Sequence, residues 1–123
     1  MSQQTAFGRI AYTSKKPDRM DADRGREWFV MTKHGDGSRT LTAHSEIDDE
    51  PAVIRDVSLT VGSDWRPNDS SVRLTVGGDF MGSGWFRFGD HEVECQTFSA
   101  NEGRLEQRVA VTEKPKGFGN HAI

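Results

Sequence analysis

Between residues 53 and 61 the chain alternates, with Val53, Arg55, Val57, Leu59 and Val61 on one side and Asp56, Ser58 and Thr60 on the other together with Ile54. A two-residue period is that of a strand with one buried face. Residues 71–76 repeat it, with Val72, Leu74 and Val76 in step. Residues 27–33 and 38–46 flank His34-Gly35-Asp36-Gly37, whose glycines supply positive φ, so these segments are expected to pair as a hairpin. Gly77-Gly78, Gly89-Asp90 and Asn101-Glu102-Gly103 set apart three further extended runs, 79–88, 91–98 and 104–112. With residues 7–13 at the start, about eight strands follow from turn spacing. No helical period competes. The expected fold is all-β, an antiparallel meander over a single domain, 1–123, that forms a barrel or half barrel. Residues 14–26 are charged and lack a periodic apolar side, which predicts a flexible connection. Asp64-Trp65-Arg66-Pro67-Asn68-Asp69 is expected to break the chain between two strands.

Composition narrows the picture. Only 33% of the 123 residues are hydrophobic, a thin supply for one domain that must offset its own ordering entropy, so a core shared with another chain would help. The net charge is -3 with both signs interspersed, which leaves no field for phosphates and argues against a nucleic-acid partner. No apolar run approaches the roughly 18 residues of a membrane span, and residues 1–10 lack the basic start and apolar stretch of a signal peptide. A cytoplasmic protein without a membrane span is expected. Cys95 is the single cysteine, so no internal disulfide forms, and the sequence clusters no partners for a thiolate zinc site. No metal and no cofactor are expected, and Cys95 reads as a small buried side chain.

Arg55-Asp56-Val57-Ser58-Leu59, Asp64-Trp65-Arg66-Pro67, Val72-Arg73-Leu74-Thr75-Val76 and Gly82-Ser83-Gly84-Trp85-Phe86-Arg87-Phe88 resemble segments of a bacterial β-barrel family. Its relatives are lipocalin-like or calycin-like proteins of the hydroxyneurosporene-synthase and glycolipid-binding kind. The resemblance covers residues 27–123 and rests on turn and strand features, so it speaks to fold more than to chemistry. It implies a longer chain in which two halves complete a barrel around an apolar cavity, with this chain as the first half. Residues 114–123 end as though another strand were starting, which also suggests truncation. A half barrel has open strand edges, which a homodimer or a missing C-terminal half would cover.

Candidate chemistry is sparse. Gly82-Ser83-Gly84-Trp85 lacks the third glycine and the helix of a dinucleotide loop, and reads instead as a bend or bulge in a strand. Trp85, Phe86 and Phe88 put aromatic groups on both faces of one strand, so one face can fill the core while the other lines a cavity. With Trp28, Arg55 and His44 they are the candidate ligand-lining residues. The simpler account makes Trp28, Trp65 and Trp85 core anchors. His44 and Glu46 share a face two residues apart, spacing that suits an acid/base pair or metal ligands but more often a surface pair. His91, Glu92 and Glu94 read as a solvated edge. Arg55 and Arg73 fall in register with apolar residues and either enter a cavity or reach its rim. Asp18, Asp21 and Asp23 do not keep a calcium-loop register. No nucleophile motif is present, so no catalytic residue is assigned. The expected function is binding of a small apolar or amphipathic ligand, lipid-like or aromatic, in a barrel cavity. Two alternatives stand beside it: a cofactor-independent hydratase, isomerase or lyase using His44, Glu46 or Arg55, and a structural or assembly module without a ligand.

Overall fold

The structure, a computed structural model, describes residues 3–116. Eight strands follow one another: β1 (Gln4–Thr13), β2 (Asp23–Lys33), β3 (Arg39–Ile47), β4 (Val53–Val61), β5 (Pro67–Val76), β6 (Asp79–Phe88), β7 (Glu92–Ser99) and β8 (Gly103–Ala110). They form one antiparallel sheet in sequence order, a meander in which each strand contacts only its neighbours along the chain. β1 and β8 do not pair with each other, so the sheet is open, as a half barrel is.

The alternation in the sequence becomes two unlike faces. In one row across the sheet, Met31, Leu41 and Leu59 are register partners, and in another Phe29, Ala43, Val57, Val72 and Gly84 follow one another. This apolar face carries the few buried hydrophobic residues among those described, Ala43, Leu59 and Val61. The opposite face carries Thr40, Thr42, His44, Asp56, Ser58, Ser71 and Arg73. Glycine makes room where the apolar face is tightest. A Cβ on Gly8 would lie 1.9 Å from the ring of Phe29, which is its register partner on β2 and packs over the bare backbone. On β6 the pairing slips between Leu74 and Thr75, so that Leu74 faces Gly82 while Thr75 faces Phe80. The extra residue is Met81, so the bulge borders Gly82, whereas Gly84 pairs regularly with Val72 and sits under Phe86, whose ring would be 3.2 Å from an added Cβ.

Several elements differ from expectation. β2 begins at Asp23, inside the stretch 14–26, and a short 3-10 turn, Pro17–Arg19, precedes it. The chain there is tied back by Ser14 N–H to Ala22 O at 2.9 Å and Asp21 N–H to Ser14 O at 2.8 Å. Charge pairs replace an apolar periodicity at this end of β2: Arg24 meets Asp49 at 3.8 Å, and Arg26 meets Glu46 at 2.9 Å and also Asp48. β5 starts at Pro67, so the break is confined to a tight turn before it, closed by Trp65 N–H to Gly62 O at 3.0 Å. Trp65 takes φ +66, a region costly for a bulky residue, and the Arg39 guanidinium lies 4.0 Å from its ring centroid. The three tryptophans are not core anchors: Trp28, Trp65 and Trp85 remain 39%, 44% and 36% exposed. A single-layer sheet has no second layer to enclose side chains of that size. β7 is internal, so Glu94 is not on a solvated edge but is largely covered and paired with Arg108 at 3.4 Å. Cys95 is half-buried. No helix among the described residues is long and apolar enough to cross a membrane.

Candidate functional site

Two adjacent rows on the polar face build the site. In the first, Arg9, Trp28, His44, Asp56, Arg73, Ser83, Phe98 and Arg104 are successive register partners from β1 to β8. In the second, Val30, Thr42, Ser58, Ser71, Trp85 and Gln96 follow one another from β2 to β7. The middle of the second row is small and hydroxylated, whereas Trp28 stands on one side and Trp85 and Phe98 on the other. Short side chains between tall ones leave a trough of about 800 Å³ over the centre of the sheet.

The first row is wired by contacts. Arg9 lies over Trp28 at 5.7 Å, and the Trp28 and His44 rings are 5.9 Å apart. His44 holds Asp56 through Nδ1 at 2.6 Å and Glu46 through Nε2 at 3.1 Å, and Glu46 accepts from Arg26 at 2.9 Å. Hydrogen bonds to Asp56 and then Glu46 raise the His44 pKa above its ordinary 6.5, because both favour the imidazolium. The same imidazolium, followed by Arg26, lowers the Glu46 pKa. On the other side Arg73 stacks over Phe80 at 4.3 Å, and Phe80 stacks on Phe98 at 5.9 Å. Both nitrogens of His44 are engaged by carboxylates, so the ring offers no free lone pair for taking a proton from a substrate.

The structure gathers Trp28, His44 and Trp85 around the trough. Phe86, Phe88 and Arg55 lie on the opposite, apolar face and do not line it. Phe86 and Phe88 stack on each other there at 6.5 Å. Arg55 belongs to a polar cluster inside that face. Glu27, 4% exposed, accepts from Tyr12 Oη at 3.0 Å and from Ser45 Oγ at 2.7 Å, and Ser45 is fully buried. Ser45 is the register partner of both Glu27 and Arg55, so acid and guanidinium flank it on one face. Burial, and then the hydrogen bond to Glu27, raise the Tyr12 pKa, against a smaller opposing effect of the Arg55 charge.

Sequence reasoning did not single out Asp56, Phe98, Gln96 or Arg104 as site residues, nor Tyr12, Glu27 and Ser45. A signal for Asp56 was present. Counting back from the turns of the β2–β3 and β3–β4 hairpins puts it opposite His44, on the face away from Val57. Phe98 and Arg104 depend on the register beyond the β6 bulge, which no local pattern fixes.

Comparison of the chain with protein-family models, curated proteins and solved structures gives no match.

Proposed function

We propose that this chain binds a small amphipathic, ring-bearing molecule in the trough between Trp28 and Trp85. One observation carries the reading: two tryptophans more than a third exposed border a cavity of about 800 Å³ floored by Thr42, Ser58 and Ser71. Small-molecule sites commonly span about 300–1,000 Å³, with aromatic walls and a few polar groups that fix orientation. An indole face receives a flat apolar ring, and the hydroxyl floor and Gln96 amide receive its polar substituents. The enzymatic alternative is disfavoured, since the one histidine at the site has both nitrogens held by carboxylates. Titration with the uncharged fluorophore phenylnaphthylamine tests the reading. Saturable binding of one probe per chain, lost in the Trp28→Ala, Trp85→Ala double variant, is the expected result, and binding indifferent to both changes refutes it.

A second observation favours assembly alongside binding. The chain exposes 8346 Å², whereas a compact monomer of 13.7 kDa exposes about 6,600 Å². The excess, about 1,700 Å² per chain, is about twice what each partner loses in a standard interface and falls in the range of obligate homodimers. In this reading the open sheet is one half of a lipocalin-like barrel, and a second copy of the chain covers its apolar face and its β1 and β8 edges. Light scattering should then return twice 13.7 kDa, and a monomer at all concentrations would refute it.

A further inference from the structure

We infer that the ligand of the trough is an organic anion whose head group is received by Arg73 and Arg104. The inference rests on the proposed binding role of the trough and names the chemistry of its occupant. It starts from the charges on the lining: His44, Asp56, Arg73 and Arg104. Asp56 is bound to the His44 imidazole at 2.6 Å, so its charge is already matched. Glu46, the other carboxylate on His44, is shared with Arg26.

Arg73 and Arg104 are placed differently. Among the described residues, no carboxylate forms an ion pair with either guanidinium. Arg73 is the register partner of Asp56, yet its guanidinium lies over the ring of Phe80 and forms no ion pair with that acid. Phe80 stacks on Phe98, and Phe98 is the register partner of Arg104, so an aromatic pair lies between the two cations. In the first row only Ser83 and Phe98 separate them. Three strand spacings amount to about 14 Å between their Cα atoms, a span that two extended arginine side chains can close onto one group. The result is a cationic end to a trough on a chain whose net charge is -3. Guanidinium groups bind carboxylate, sulfate and phosphate oxygens through paired N–H donors, and stacking on an aromatic ring holds the fork flat. The apolar ring of the ligand then lies against the Trp28 and Trp85 indoles, with its anionic head at Ser83.

Two probes with the same body separate the head-group contribution from the body. Anilinonaphthalene sulfonate carries the phenylnaphthylamine skeleton with an added anionic group. The expected result is affinity for the sulfonate at least about tenfold above that for phenylnaphthylamine, a difference that shrinks with added salt. The Arg73→Gln, Arg104→Gln double variant should abolish the sulfonate's advantage and bring the two affinities together. Both arginines are exposed, and far-UV circular dichroism of the variant checks that the sheet is retained. Equal affinities for the two probes, or a preference that survives the double variant, overturn the anion assignment while the binding reading stands. Failure of both probes to bind the parent chain overturns the binding reading itself. Sulfonate binding insensitive to the arginine and tryptophan changes alike places the probe on the apolar face and overturns both.

Discussion

Glu27 is the residue whose loss should cost this sheet most. It is 4% exposed and accepts hydrogen bonds from Tyr12 at 3.0 Å and Ser45 at 2.7 Å. Replacing it with alanine leaves the Ser45 hydroxyl, itself fully buried, without its acceptor, at a cost of about 1–3 kcal/mol. It also removes the negative charge that shares a face with Arg55, and breaking a buried charged group away from its partners costs about 3–5 kcal/mol. The two penalties overlap, so the expected loss for Glu27→Ala is about 3–5 kcal/mol. Small domains have about 5–15 kcal/mol in total, and this variant should therefore sit at the margin of folding. Glu27→Gln keeps a carbonyl oxygen for both hydroxyls and removes only the charge, so about half the loss is expected. Urea denaturation followed by far-UV circular dichroism gives the difference. A cycle with Tyr12→Phe should return a coupling of about 1 kcal/mol between the two side chains. Glu27→Ala within about 0.5 kcal/mol of the parent chain, the range of ordinary surface substitutions, would refute the account of the cluster.

Three further outcomes follow from the same geometry. Gly8→Val should drive Phe29 off the β1 backbone, since an added Cβ would lie 1.9 Å from its ring, and destabilise the sheet by about 1–3 kcal/mol in the same urea assay. The raised His44 pKa means that its contribution to stability is complete below the ordinary 6.5 and is lost as pH rises through the folded value. The lowered Glu46 pKa means that its contribution is complete above 4.5 and is lost as pH falls through the folded value. A stability profile against pH should accordingly fall on both sides of a plateau, and His44→Gln should flatten the alkaline fall without moving the far-UV spectrum. Acrylamide should quench the fluorescence of all three tryptophans readily, because each is more than a third exposed; a protected fraction in a monomer would contradict their placement.

The alternation of residues 53–61 and the glycine turns carried the fold, because a period of two and a positive φ are local properties that a sequence displays directly. The limits were local as well. Asp23 to Arg26 is strand without an apolar period, because Arg26 finds Glu46 and Asp48 across the sheet, and such pairing cannot be read from either strand alone. The site was half legible. Trp28, His44 and Trp85 carry the chemistry expected of a lined cavity, and the trough brings them together. Phe86, Phe88 and Arg55 have equally suggestive side chains, but strand parity assigns them to the other face. Which face is hollow was not written in the alternation. It depends on Thr42, Ser58 and Ser71 being short at three aligned positions on separate strands, a coincidence visible only once the register is known.

The meander has a further consequence for how the chain acquires and loses order. Every strand touches only the strands before and after it, so the sheet is in effect a one-dimensional array of hairpins. In such an array stability approximates a sum of nearest-neighbour terms, and no distant segment must arrive before a hairpin can form. Each newly synthesised strand can dock on the one before it while the rest of the chain is still being made. Opening should run inward from β1 and β8. The central strands β3, β4 and β5, which supply the trough floor, would then be the last to exchange their amide protons.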